Sequence, residues 1–173
     1  MDATVEQKAS RSSIISDAQR LWDQTKDWDT VFALLYEKRP ALKAKTFAGY
    51  CIAMDDLALL QWGRSQQVPC PWSASTLAFA ASLNKVSFID WMRNAEPPCP
   101  WNKIAACEAF YYGNLETLYY LYDQEAPYGV YMWILDSVNS CCLDFFNQYG
   151  KAWQSNQFDV PLHLTKPAKD KSK

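Results

Sequence analysis

Glycine and histidine are both scarce in this sequence, which contains five glycines and one histidine, His163, among 173 residues. Valine, isoleucine and threonine form few runs, whereas leucine, alanine, tyrosine and tryptophan are abundant, so the composition favours helices over strands. Gly-rich phosphate loops, paired His–Glu motifs and Cys-x-x-Cys spacings do not occur, and a single histidine is a poor basis for acid–base catalysis. We therefore predict an all-α protein that has no catalytic residues, no cofactor and no metal site.

A net positive charge and long apolar runs are missing as well. The formal net charge is −2 and the sequence pI is about 5.4, so no overall field attracts nucleic acid or anionic lipid. No apolar run reaches the ~18 residues of a membrane helix, and residues 1–12 lack the apolar core of a signal peptide. We expect no nucleic-acid partner, no membrane partner and a cytoplasmic location.

Cysteine is present six times, but the sequence has no feature that indicates an oxidising compartment. Adjacent Cys141 and Cys142 are poorly placed to pair with each other. We therefore expect reduced thiols that fill small gaps in a helical core.

An internal repeat is the strongest positive signal. Cys70-Pro71-Trp72 recurs as Cys99-Pro100-Trp101, so the repeat period is 29 residues. The same offset aligns apolar residues in three columns, which are Leu57, Val86 and Leu115; Leu60, Ile89 and Leu118; and Trp62, Trp91 and Tyr120. The turn-forming pairs Asp55-Asp56, Asn84-Lys85 and Gly113-Asn114 align in the same way. Each unit reads as helix, turn, helix and proline-containing loop, and such short helices need stacking for stability.

The repeat divides the chain into predicted segments. We expect a disordered start at 1–12, a repeat domain at 13–153 and a disordered tail at 154–173. Within the repeat domain, capping helices occupy 13–43 and the units occupy 44–72, 73–101, 102–128 and 129–153. The fold class that follows is a short α-solenoid of four to five units with atypical ends.

The unit that runs from Asn84 to Met92 and ends in Pro98-Cys99-Pro100-Trp101 resembles an ankyrin-like repeat, as does its neighbour that starts at Gly113-Asn114-Leu115-Glu116. The likeness is to the short Cys-Pro-Trp type found in giant DNA viruses and in oomycetes, algae and other protists. It implies a solenoid that binds proteins without catalysis or cofactor, in a host cytosol if the source is a virus or pathogen. The period is shorter than the ~33 residues of ordinary ankyrin units.

The two Cys-Pro pairs allow a second interpretation, because a Cys-Pro dipeptide can supply a thiolate to haem. The structural alternative is that Cys fills space, Pro starts the next helix and Trp covers the boundary between units. We favour the structural alternative, since both copies stand at a unit boundary.

Columns that do not repeat are the candidates for partner binding, because stacking does not fix them. They fall late in the first helix of each unit and in the second helix of the third unit. The candidates are Tyr50, Phe79, Leu83, Glu108, Tyr111, Tyr112, Tyr119 and Tyr122. The alternative is that several of these rings cover a thin core.

Three functions remain open at this point. The first is an interaction module that binds a partner protein, and the second is a structural protein that self-associates into a homo-oligomer. An enzyme remains only if His163 docks onto a cysteine.

Overall fold

A computed structural model of the chain describes residues 3–41, 43–127, 140–145 and 147–148, and it contains helices and no strand in these ranges. The all-α prediction is confirmed for them. The helices are α1 (Ala3–Thr25), α2 (Trp28–Lys38), α3 (Phe47–Ala53), α4 (Leu57–Arg64), α5 (Ala74–Ser82), α6 (Val86–Asn94), α7 (Lys103–Tyr112), α8 (Leu115–Asp123) and α9 (Ser140–Phe145). None of these helices is long and apolar enough to cross a membrane.

The first helix begins earlier than expected. α1 starts at Ala3, whereas the sequence analysis assigned residues 1–12 to a disordered start. The physical reason lies in the composition of residues 3–12, which contain Ala, Glu, Gln, Lys and Arg and neither Gly nor Pro. The helix therefore extends upstream of the predicted boundary at Ser13.

Four turns share one backbone geometry and are separated by one period each. Each turn has one residue in the left-handed region, at φ 53° in Lys26, 57° in Asp55, 55° in Asn84 and 76° in Gly113. Two residues later a helix begins, at Trp28, Leu57, Val86 and Leu115. In the last three turns the residue after the left-handed one donates a backbone bond to the preceding helix, as from Asp56 N–H to Cys51 O at 2.8 Å, whereas in the first turn Lys26 N–H itself donates to Trp22 O at 2.8 Å. The period therefore extends upstream to α1 and α2, a full unit beyond the aligned apolar columns.

Side-chain caps explain where several helices begin. The Thr46 hydroxyl accepts from Gly49 N–H at 3.1 Å, and the Asn102 side chain accepts from Ile104 N–H at 3.0 Å. At Ser73 the direction is reversed, since its N–H donates to the Thr76 hydroxyl at 3.1 Å. Because Ser73 and Asn102 occupy the cap position, α5 and α7 begin three residues after the Cys-Pro proline. The expectation that this proline starts the next helix is wrong.

The Cys-Pro-Trp element joins one unit to the next. The Cys70 N–H donates to Gly63 O at 2.9 Å, and the Arg64 guanidinium donates to Cys70 O at 2.7 Å while lying 3.8 Å from the Trp72 ring centroid. The arrangement recurs one unit later, with Arg93 bonded to Cys99 O at 2.6 Å and 4.0 Å from the ring of Trp101. Arginine thus satisfies a loop carbonyl and covers the tryptophan face in both copies.

Packing follows chain order. α5 packs against both α3 and α7, and the second helix of each unit packs on the first helix of the same unit, as α4 on α3, α6 on α5 and α8 on α7. α1 packs on α2, α2 on α3, and α9 on α8. Small residues in the α3, α5 and α7 row are fully buried, namely Ala48, Ala80, Ala81, Ala106 and Ala109, which permits close helix approach.

The last predicted unit, 129–153, lies mostly outside the described residues. Two contacts among described residues lie where it joins the third unit. Ala126 N–H donates to Leu121 O at 2.9 Å. Ala126 therefore occupies the position that Cys70 and Cys99 hold in the earlier units, but two residues earlier than the repeat period predicts. In α9, the buried Phe145 ring stands 5.9 Å from Phe110, which links α9 to the core.

Three buried thiols should make the fold sensitive to high pH. Burial raises the pKa of the Cys70 thiol to about 12 and that of Cys99 to about 11, and it raises the pKa of Cys51 well above its ordinary value of 9.0. Because the folded thiols hold their protons more tightly than the unfolded ones, this stabilisation is complete below pH 9 and is lost as pH rises through the folded values. We expect the free energy of unfolding to fall above pH 9, by up to about 1.4 kcal/mol per pH unit for each thiol.

Urea unfolding followed by tryptophan fluorescence between pH 7 and 11 measures this dependence. The double variant Cys70→Ala and Cys99→Ala removes two of these three thiols and should reduce the slope of the curve between pH 9 and 11. Equal slopes for the variant and the parent would show that the thiols do not carry the effect.

Candidate functional site

The outer side of α7 presents an acid and two aromatic rings. Glu108, Tyr111 and Tyr112 stand at positions i, i+3 and i+4, so they share one side of the helix. Tyr111 is 47% exposed and Tyr112 is 42% exposed, and their rings meet edge to face with centroids 4.9 Å apart. We refer to Glu108, Tyr111 and Tyr112 as the α7 notch.

A lysine from the loop between α2 and α3 reaches the α7 notch. The Lys43 ammonium donates to the Tyr112 hydroxyl at 3.0 Å, across 69 positions of sequence. The hydrogen bond to Tyr112 is the main cause that raises the pKa of Lys43, and Glu108 adds to it. Desolvation raises the pKa of Glu108, and the charge of Lys43 opposes that shift. The four side chains therefore form one electrostatically connected group.

Tyr50, which the sequence analysis placed among the binding candidates, is only 2% exposed. The α2 helix packs on α3 beside it, and the Phe32 ring lies 6.4 Å from the Tyr50 ring. Burial also raises the pKa of the Tyr50 hydroxyl. Tyr50 therefore belongs to the core, and its assignment to a partner surface is wrong.

Phe79 and Leu83 are intermediate cases. Phe79 is half-buried and packs against the core, close to the backbone of Gly49. Leu83 ends α5 and is 39% exposed. Leu83 occupies the column of Tyr112, so the two exposed side chains lie at the C-terminal ends of equivalent helices in successive units.

The two tyrosines of α8 form a separate group of contacts. Tyr119 is 43% exposed, and Tyr122 is half-buried against the core. Both rings contact the Phe145 ring of α9, at centroid distances of 4.9 Å and 6.3 Å. The other five candidates thus fall into two groups, one on α7 and one between α8 and α9.

Sequence analysis missed the arginines that bind the Cys-Pro-Trp loops and the lysine that contacts the α7 notch. Arg64 and Arg93 were visible in principle, because they are separated by one period and each stands six residues before the cysteine of Cys-Pro-Trp. Lys43 gave no such signal, since the repeat contains no second lysine at the equivalent position 72 or 101. Its contact with Tyr112 depends on the way α3, α5 and α7 stack.

Metal binding and haem ligation depend on side chains of the described ranges. They contain no cluster of three or more His, Cys, Asp or Glu side chains that could hold a metal ion. The thiols of Cys70 and Cys99 are fully buried, and their raised pKa values oppose the thiolate that haem ligation needs. His163 lies outside the described residues.

The recurring turns and the arginine contacts are features of this chain itself. In comparisons with known proteins, no family model, no curated protein and no solved structure matches the chain.

Proposed function

We propose that the chain is a non-enzymatic interaction module, a short ankyrin-like solenoid that binds a partner protein through the side of α7 that carries the α7 notch. The observation that carries this proposal is the exposed pair Tyr111 and Tyr112. Tyrosine is enriched at protein interfaces because it offers a large, stiff surface together with a hydroxyl.

The contrast between constant and variable columns supports the proposal. The turn residues keep a left-handed backbone through four copies, and the Arg contact recurs in two. The column of Tyr111 contains Ala53 and Ser82 in the two earlier units. The column of Tyr112 contains Met54 and Leu83. A scaffold that is fixed at its turns and free in these columns is typical of repeat proteins that bind other proteins.

The same repetition supports the solenoid. Helix pairs that contact the next pair in chain order form an array whose outer columns lie side by side. The Cys-Pro-Trp loop and the period that it sets are the features that the ankyrin-like interpretation depends on. A host-directed adaptor in the cytosol is the corresponding role if the source is a virus or pathogen.

Partner capture with a matched pair of variants tests the function. We expect the double variant Tyr111→Ser and Tyr112→Ser to lose about 2 kcal/mol or more of binding energy, roughly thirtyfold in affinity. Tyr36→Ser is the control, because Tyr36 is also a helical tyrosine that is 40% exposed but it lies on α2. The immobilised protein is exposed to extract of its native cell, and bound proteins are quantified by mass spectrometry.

Folding must be separated from binding in this experiment. Helical circular dichroism and the melting temperature of both variants should stay within a few degrees of the parent, since the replaced rings are exposed. A large fall in melting temperature for the α7 variant would assign the two rings to the core and would contradict the proposal.

Self-association is the alternative role, and the same exposed rings favour it, because a ring pair on one copy can meet the pair on another. Light scattering over a hundredfold range of concentration distinguishes the two. A constant mass of 19.9 kDa supports the adaptor. A dimer that dissociates in the Tyr111→Ser and Tyr112→Ser variant supports self-association instead.

A further inference from the structure

The α7 notch already holds an ammonium group, which is supplied by the chain itself. Lys43 Nζ donates to the Tyr112 hydroxyl at 3.0 Å and stands 5.0 Å from the centroid of that ring. Glu108 lies one helical turn before Tyr112 and interacts favourably with the lysine charge. Tyrosine oxygens, tyrosine rings and a carboxylate are the groups that bind primary ammonium ions in proteins.

The unit that contains the α7 notch has an excess of acidic residues in its sequence. From Lys103 to Pro127 the chain carries one basic residue, Lys103, and four acidic residues, which are Glu108, Glu116, Asp123 and Glu125. The preceding part from Lys43 to Asn102 is more nearly balanced, and two of its cations, Arg64 and Arg93, are bonded to loop carbonyls. The local charge of the third unit is therefore complementary to a cationic partner.

We propose that the α7 notch binds a lysine side chain from a lysine-rich segment of a partner protein, and that Lys43 occupies this place in the free chain and is displaced on binding. This inference rests on the proposed interaction function and specifies the chemistry of the partner. An ammonium has three donors, so an incoming lysine can replace the Lys43 bond to Tyr112 and also reach Glu108.

Displacement requires that the internal contact be weak. The Lys43 side chain belongs to an exposed residue, and exposed charged contacts contribute about 0–1 kcal/mol. Lys43 itself adopts a φ of 64°, a conformation that lysine rarely takes. Lys43 therefore acts as a weak internal competitor, which sets a threshold for low-affinity cationic segments without blocking stronger ones.

Binding of fluorescein-labelled hexalysine, measured by fluorescence anisotropy in low salt, tests the inference. We expect the parent to bind hexalysine and not hexaglutamate. Lys43→Met should strengthen hexalysine binding by roughly two- to fivefold, because the competitor is removed. Glu108→Gln and Tyr112→Phe should each weaken it by a similar factor, because each removes one acceptor for the ammonium.

Charge-matched controls separate the notch from general electrostatic attraction. Lys45→Met removes the same charge two residues along the same exposed loop, and Asp29→Asn neutralises an exposed acid on α2. Both should change hexalysine affinity much less than Lys43→Met and Glu108→Gln do. If Lys45→Met strengthens binding as much as Lys43→Met, or Asp29→Asn weakens it as much as Glu108→Gln, the notch is not the site.

Amide spectra of the labelled protein give a second readout. Addition of hexalysine should shift the resonances of residues 43, 108, 111 and 112 before those of α2. If hexalysine fails to bind while native partner capture still depends on Tyr111 and Tyr112, the lysine inference is wrong and the interaction function stands. Loss of that dependence on Tyr111 and Tyr112 would instead overturn the proposed function.

Discussion

Replacement of Gly63 by alanine should destabilise the chain by about 3 kcal/mol, because a methyl group at this position has no space. A Cβ built on Gly63 falls well inside contact distance of Phe47 Cε1, and it would stand 3.2 Å from both Phe47 Cζ and the Cys70 sulfur. The Phe47 ring is 2% exposed and is held by Trp28 at 4.6 Å and Trp62 at 6.2 Å, so it cannot swing aside. Urea denaturation measures the loss.

Gly49→Ala provides the matched control. A Cβ on Gly49 would meet only the Thr46 hydroxyl at 3.2 Å, with the Phe79 ring at 3.8 Å and the Ala44 backbone at 3.9 Å. Since alanine favours a helix by up to about 1 kcal/mol over glycine, this substitution should be close to neutral. Equal destabilisation at both glycines would contradict the packing argument.

The next unit suggests a rescue for Gly63→Ala. The residues one period after Phe47 and Gly63 are Thr76 and Met92, and the equivalents after those are Ala105 and Leu121. A large residue on the first helix of a unit thus accompanies glycine on the second helix. In the next two units a smaller residue on the first helix accompanies a larger residue on the second. Phe47→Leu, which removes the two ring atoms that the methyl group would meet, should recover part of the stability of Gly63→Ala in a double-mutant cycle.

Asn84→Ala is the second substitution with a large expected effect, about 2–4 kcal/mol. The Asn84 carbonyl oxygen accepts from the Thr117 hydroxyl at 2.8 Å and from Thr117 N–H at 3.3 Å, and its amide donates to Glu116 at 3.2 Å. Thr117 is fully buried, so loss of these bonds leaves two donors without their partner. Alanine would also have to adopt the φ of 55° that asparagine tolerates better.

Asn84→Gly divides the effect into its two causes. Glycine adopts positive φ without strain, so it should lose only the hydrogen-bond part and should be about 1 kcal/mol more stable than Asn84→Ala. Asp55→Gly is the control one unit earlier. The Asp55 side chain makes an exposed ion pair with Lys85 at 2.9 Å, and loss of this pair should lower the free energy of unfolding by less than about 1 kcal/mol. If Asn84→Gly and Asp55→Gly are equally stable, Asn84 does not cap the neighbouring unit.

The parts of the fold that the sequence predicts are those that occur once in every period. The positions of the turns and the start of α2, α4, α6 and α8 follow from the constant offset, because each unit must meet its neighbour in the same way. The helices that follow Cys-Pro-Trp begin after the cap residues Ser73 and Asn102, which directly follow the tryptophans, and not at the proline.

Contacts between units are the part that could not be predicted. Asn84 bonds to Thr117 across 33 residues and Lys43 bonds to Tyr112 across 69. Both pairs depend on side chains that occur in one unit alone. Tyr50 was misassigned for a related reason: Phe32 of the preceding helix covers its column at that end, whereas Glu108 in the same column is only partly buried.

The constant spacing of the left-handed turn residues has a consequence for how such a chain can grow. Any stretch one period long between Lys26 and Asn114 contains one turn, one entry into a second helix and one return to the following unit. Duplication or loss of such a stretch leaves every remaining turn in phase with the next. The length of the binding side can therefore change by whole units during evolution, while the composition of its variable columns changes independently.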